Sequence, residues 1–344
     1  MRQAGQADEI RRLTACFFQS ALVSGMTPYE AMRNTLALAE AADRLGYARF
    51  WVSEHHDTDG LAGSAPEIVM AAVLARTRRI RVGSAAVLLQ HYSPYKIAEQ
   101  FRVLEAMFPG RVDLGIGRSS GGKPPSAAAL QYGAGSDATF ERRLIDLAGF
   151  LRDDLPADHP YAGVRARPSI PTVPEIWLLG SGTQSAELAS QLGASFAYAH
   201  FFKGIPGHDA IRNYRDRFRP GPLGDKPRTA VCTVVICAET DEEAEQLAAP
   251  VDLRMLLIDK GEFARPYLTP EEADAYPYSE EDRERIRANR TRMIVGGPDK
   301  VRRDIERFCR EYGADELIVL TMLHDFDARL RSYELLAETM GINV

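Results

Sequence analysis

Cysteine is scarce in this chain. There are four in 344 residues, Cys16, Cys232, Cys237 and Cys309, and no two form a CxxC pair. That spacing suits neither a zinc site nor a disulfide framework. Cys16, Cys232 and Cys237 lie in apolar runs, where a thiol behaves as a small buried hydrophobe, and the chain reads as one made for a reducing cytoplasm. No apolar stretch approaches the 18 or more residues of a membrane span. The start, MRQAGQADEIRR, lacks the apolar segment of a secretory signal, and residues 1–10 read as a loose tail. Positive charge is also short: 42 Lys and Arg face 48 Asp and Glu, a net −6, which leaves no electrostatic footprint for nucleic acid. No basic run stands beside an apolar helix, so a membrane-surface role has no support either. A nucleophilic cysteine with a histidine partner is missing.

What the chain has is alternation. Apolar runs that read as strands occur at 13–20, 48–56, 80–89, 111–117, 175–180, 195–202, 229–238 and 315–323, and helical patterns separate them. The helix signals are chemical: Pro28 follows Thr27, a good N-cap, and Gly46 ends that helix; Ser64 is placed to cap a helix over 64–77; Ser93-Pro94 opens the next. Residues 118–137 read as a Gly, Ser and Pro-rich loop, and 156–174 as an irregular connection. Residues 259–291 are charged, contain Pro266, Pro270 and Pro277, and read as an insertion after the seventh strand, with one short helix near 281–289. Eight near-continuous apolar strands, each followed by a helix, predict an α/β fold: a single (β/α)8 TIM barrel over 1–344 rather than an open doubly wound sheet of five or six strands.

In such a barrel the chemistry sits at the C-terminal ends of the strands. Four of the seven histidines fall there: His55, His56, His200 and His324. The fifth strand runs into GSGTQS, where Gly180, Ser181, Gly182, Thr183 and Gln184 open a helix. Small residues and free N–H groups at a helix start make an anion site, and an ordinary strand-to-helix turn is the alternative. Arg118, just beyond the fourth strand, could grip a phosphate with its fork or form a surface ion pair. GIGRSSGG and the 180–182 turn both fall short of a dinucleotide fingerprint, and neither has an acidic residue on the next strand for a ribose. SEHHD invites a metal reading, but adjacent side chains on an extended strand diverge, so acid–base work by one histidine is preferred and no metal is expected.

The run from FWVSEHHD through RVGSAAVLL, SPYKIAEQFRVLEAMF and PGRVDLGIGRS, then WLLGSGTQSAELASQLGASFAYAHFF and GADELIVLTMLHDFDARLRSYELLAE, resembles bacterial luciferase and its flavin-dependent monooxygenase relatives. The match keeps its order over nearly the whole chain from about residue 13. It resembles the single-chain actinobacterial type, including members of aromatic polyketide pathways such as mensacarcin biosynthesis. The resemblance implies FMN, supplied as FMNH2 by a separate flavin reductase, and O2 activated as a flavin C4a-hydroperoxide to hydroxylate or epoxidise a small organic substrate. It implies that Arg118 and Gly180–Gln184 hold the phosphate. Ser84, Ala85 and Ala86 then lie along the isoalloxazine ring, with Ala85–Ala86 at a cis peptide, and His55 is the catalytic histidine. His56, His200 and His324 are candidates for the substrate pocket. Luciferase carries a reactive cysteine just before the arginine of the fourth strand; here Gly117 stands there, so light emission is not expected.

Three other readings stand beside this one: a deazaflavin-dependent hydride-transfer enzyme, a non-catalytic flavin-binding protein, and a metal hydrolase on the same barrel. Residues 259–291 are the candidate lid, with a packing arm as the alternative. Family members pair through the helices beside the second and third strands. Here those helices carry Ala65, Ile68, Ala71, Ala72, Ile97, Phe101 and Leu104, so a homodimer is expected.

Overall fold

The computed structural model describes residues 13–18, 20–132, 138–203, 205–262 and 265–342, without the side chains of 13–18 and 203. The tail at 1–10 lies outside them. Among the described residues ten strands form: β1 (Leu13–Phe18), β2 (Arg49–Val52), β3 (Arg81–Ser84), β4 (Val87–Leu88), β5 (Val112–Gly117), β6 (Glu175–Gly180), β7 (Ser195–Ala199), β8 (Thr229–Cys237), β9 (Met293–Gly296) and β10 (Glu316–Leu320). Between and after them run α1 (Pro28–Leu45), α2 (Pro66–Arg76), α3 (Pro94–Met107), α4 (Pro124–Leu130), α5 (Phe140–Arg152), α6 (Thr183–Leu192), α7 (His200–Lys203), α8 (His208–Arg217), α9 (Asp241–Asp259), α10 (Pro270–Ala275), α11 (Glu280–Asn289), α12 (Pro298–Tyr312) and α13 (Phe326–Met340). Every pair of named strands is parallel, and pairing runs β1-β2-β3-β5-β6-β7-β8. β10 pairs with both β8 and β1 and so returns the chain of pairings to its start.

The local signals act as the sequence suggests for α1, where Thr27 and Glu30 form a capping box and Gly46 takes the left-handed conformation that ends the helix. Elsewhere the structure differs. α2 begins at Pro66 and its N-cap is Ala65, so Ser64 is not the cap. The third apolar run is split into β3 and β4. Residues 200–202 of the sixth run wind into α7, and the 118–137 segment contains α4. The insertion holds two helices, α10 and α11, and β9 follows it alongside the upper half of β8. β9 is four residues long, too short to stand out as a separate run beside the helical pattern that follows it.

Strand side chains alternate between two layers, as the period of two demands. Phe50, Val82, Val112, Leu114, Ile176, Phe196, Val231, Leu317 and Val319 face the helices. Trp51, Trp177, Ala197, Ala230, Cys232, Val234, Ile318 and Leu320 fill the barrel. Below them lies a charged floor. Arg49 reaches Asp113 at 2.7 Å, Glu316 at 3.0 Å and Glu175 at 3.2 Å, and its guanidinium lies over Trp177 at 5.1 Å. Arg81 and the Trp51 indole N–H also bond Asp113, each at 2.9 Å. Burial pushes the Asp113 carboxyl up, but the guanidinium groups of Arg49 and Arg81 outweigh it and hold the group below its usual range.

At the other end, α9 lies across part of the mouth. Ala244, Ala248, Val251 and Met255, at helical spacing, join the barrel-filling cluster. The opposite face of α9, with Leu253, Leu256 and Leu257, packs on Leu268 and Ala273 beneath α10 and α11. Among the described residues no helix is long and apolar enough to cross a membrane.

Candidate functional site

Four neighbouring strands, β2, β3, β5 and β6, carry the sequence-chosen groups at their C-terminal ends. Because these strands are parallel and consecutive in the ring, His55, Ala85–Ala86, Arg118 and the 180–184 turn share one rim of the molecule.

On the β5–β6 side, the Arg118 guanidinium donates to Gln184 Oε1 at 2.9 Å. Gln184 belongs to the first turn of α6. That helix starts behind Gly182, which is extended (φ −158°), with no side-chain cap and no acidic residue in its first turn. Its leading N–H groups and the positive end of its dipole therefore face the cleft next to Arg118. Arg118, Gln184 and Ser185 line that cleft together with Ile116 and Leu178. The two glycines of the turn differ in purpose. A Cβ on Gly180 would come within 2.4 Å of Ser185 Cβ, whereas one on Gly182 would meet nothing within 4 Å. Gly180 allows the helix to close on the strand, and Gly182 leaves an open cradle. Ser181 is half-buried beside it and Thr183 is exposed.

The Ala85–Ala86 peptide is cis, as the resemblance implied. It falls between β3 and β4, where the ladder to β5 is interrupted. Ser84 bridges the gap: its hydroxyl donates to the Gly115 carbonyl at 2.8 Å and accepts the Gly115 N–H at 3.1 Å. That hydroxyl is fully buried, so Ala85, half-buried, is the member of the run that opens on the mouth. Gly117 packs against the same segment, and a Cβ there would stand 3.1 Å from Ala86 Cβ. The missing cysteine thus has a packing consequence: the strand can tuck closer to the cis segment.

On the β2 side the adjacent histidines diverge. His56 Nε2 pairs with Glu54 Oε1 at 2.9 Å, and the same buried carboxylate accepts the Tyr92 hydroxyl at 2.7 Å and the Leu88 N–H at 3.1 Å. Burial, then the charges of His56 and Arg254, push the His55 imidazole down to about 4, so it is neutral at ordinary pH. Arg254 comes from α9. It is 8 % exposed, its Nη1 donates to the Arg265 and Pro266 carbonyls, and its guanidinium lies 4.8 Å from the Tyr267 ring centroid. The segment around Tyr267 is tied to the loop after β1, with Tyr267 N–H bonding the Leu22 carbonyl at 2.8 Å and Ser24 N–H the Tyr267 carbonyl at 3.3 Å. Of the insertion, this stretch reaches the mouth, while α10 and α11 sit behind α9; residues 263–264 lie outside the described ones.

His200 and His324 do not join this group. His200 pairs with the Thr291 carbonyl at 2.8 Å and the Tyr312 hydroxyl at 2.7 Å and lies against Phe308, within the helix layer. His324 is half-buried after β10, near Glu271 of α10. Among the described residues no three His, Cys, Asp or Glu side chains gather as a metal cluster. Sequence reasoning passed over Tyr92 and Arg254, and it placed Glu54 at the strand end directly before the histidine pair without giving it a role. Arg254 gives no such signal, because it lies mid-helix, 17 residues past the end of β8.

Comparison with known proteins gives the family and the fold. The family described as luciferase-like monooxygenase matches residues 13–316. The chain is 44% identical over 322 residues to an uncharacterised protein, YceB, of Bacillus subtilis (strain 168), covering 93% of this chain and 97% of that one. It is 36% identical over 324 residues to the N-acetyl-S-alkylcysteine monooxygenase of the same organism, covering 94% and 96%. Among solved structures, apo-MsnO8 is similar with a TM-score of 0.85 at 40% identity, covering 96% of this chain and 99% of the other.

Proposed function

Because the chain belongs to the luciferase-like monooxygenase family, we propose that it is the oxygenating component of a two-component system that takes FMNH2 from a separate reductase and transfers one oxygen atom of O2 to a small organic substrate. The observation that carries this reading is the rim itself: a cation and an uncapped helix start on one side, a neutral imidazole on the other, and the flat Ala85–Ala86 segment between them. The residues fit a flavin mononucleotide. Arg118 and the first N–H groups of α6 would hold its phosphate, Gln184 orienting the guanidinium, and Gly182 leaves room for it.

When bound, the reduced flavin supplies the activated oxygen, and the protein's share is to position and to keep water out. Val251, Met255, Leu320 and Met322 provide an apolar wall at the mouth. His55, uncharged and largely enclosed, can accept a proton and then return it, whereas a histidine already protonated could only give one up. Glu54 holds His56 and, through the Leu88 N–H, the strand that follows the cis peptide. Electrons come from outside because the sequence has no pyridine-nucleotide fingerprint. A homodimer would use α2 and α3, whose outer faces expose Ile68, Val103 and Met107.

The test supplies FMNH2 and labelled O2 with a panel of alkenes, aromatics and N-acetyl-S-alkylcysteines. One labelled atom in a product supports the reading; release of hydrogen peroxide alone, with no labelled product, counts against it. Titration with FMN and with a deazaflavin decides the cofactor.

A further inference from the structure

Arg254 is a buried cation that meets no carboxylate among the described residues. It is 8 % exposed, and no Asp or Glu among the described residues lies within ion-pair distance of it. Its polar partners are two carbonyls of the insertion, both on one nitrogen of the fork, and the Tyr267 side chain, and none of them neutralises the charge. The face of Tyr267 helps to hold it there. Burying an arginine with no counterion is costly unless something arrives to pair with it.

Its position is as telling as its charge. Arg254 lies near Gly60 in the loop after β2, and it lines a small cavity with Tyr267, Val251 and Met322, the last just past the end of β10. Arg118 stands at the end of β5. In the ring, β10, β1 and β2 lie on the far side of β3 from β5 and β6. A flavin with its phosphate at Arg118 and its ring over Ala85–Ala86 would point towards His55 and then towards Arg254. The two cations therefore bracket the mouth, and they do not compete for one anion.

Resting on the flavin reading above, we propose that Arg254 anchors the substrate, and that the substrate is an organic acid whose carboxylate pairs with this guanidinium while its oxidisable end reaches back towards His55. A planar fork suits a carboxylate in particular, since two N–H donors can meet two oxygens.

The test uses the FMN-loaded protein, so the phosphate site is filled. Binding of phenylacetate and of phenylacetamide, equal in shape and different in charge, is measured by calorimetry. The expected result is at least tenfold tighter binding of the acid, lost in Arg254→Gln and largely kept in Arg254→Lys, with the FMN affinity of Arg254→Gln within about twofold of the parent. Equal binding of acid and amide, a preference that survives Arg254→Gln, or no saturable binding of either overturns the proposal. Failure of the protein to take up FMN at all would instead sink the flavin reading, and thermal unfolding of Arg254→Gln separates a lost anchor from a lost fold.

Discussion

The barrel keeps arginines at both ends, and the two ends treat them differently. At the floor, Arg49 meets three carboxylates and shares Asp113 with Arg81. At the mouth, Arg118 meets a carboxamide and Arg254 meets carbonyls and a ring. A buried charge has to be matched somewhere. The floor matches its charges within the fold, so its arginines are structural. Among the described residues the mouth gives no acid to either arginine: Arg118 is exposed and can be matched by solvent, whereas Arg254 is buried, and on the proposals above both would meet anions of ligands.

The largest expected effect lies at the floor. Asp113→Ala leaves Arg49 and Arg81 without the carboxylate they share, and should cost about 3–5 kcal/mol in a urea unfolding experiment. A loss below about 1 kcal/mol would mean that the floor charges are not matched in the way described. Next comes His55, which sits uncharged at the mouth. Its folded value of about 4 lies below the ordinary 6.5, so the unfolded chain binds the proton first as pH falls. Stability from this group is complete above about pH 6.5 and is lost as the pH drops towards 4, by on the order of 3 kcal/mol. His55→Asn should flatten that acid limb; an unchanged limb would show that the ring is not buried as a neutral group. Third, Arg118→Gln should leave stability within about 0.5 kcal/mol, since the side chain is exposed, yet weaken FMN about ten- to a hundredfold by fluorescence titration. Equal FMN affinity in the variant would remove Arg118 from the phosphate site. The smallest contrast is between neighbouring glycines. Gly180→Ala meets Ser185 and should cost about 1–3 kcal/mol, while Gly182→Ala points into open space and should cost less than about 0.5 kcal/mol.

The sequence made the barrel legible because burial on both faces turns strands into apolar runs, and because Thr27, Gly46 and the Ser93-Pro94 pair mark helix ends by local chemistry. The pairing of Arg118 with the 180–184 turn was readable for the same reason: both are local features at strand ends. What stayed hidden depends on distant packing. β9 becomes a strand through its pairing with β8, and Ser84 looks like a cofactor contact until Gly115 is seen to occupy both sides of its hydroxyl. His200 was chosen for its place at a strand end, yet one residue of helical winding turned it towards Tyr312 and the helix layer. Arg254 reaches the rim only because α9 crosses over the mouth, a tertiary event without a local signature.

The two backbone hydrogen bonds between Tyr267 and the loop after β1 have a kinetic consequence. They tie the stretch at Tyr267 to the loop after β1, and on the flavin reading a molecule bound for His55 would enter through the cleft at Arg118. If the cleft is the doorway, whatever occupies it first blocks whoever comes second. Initial-velocity patterns should then reveal a compulsory order of arrival, and loosening that tie should make the order random.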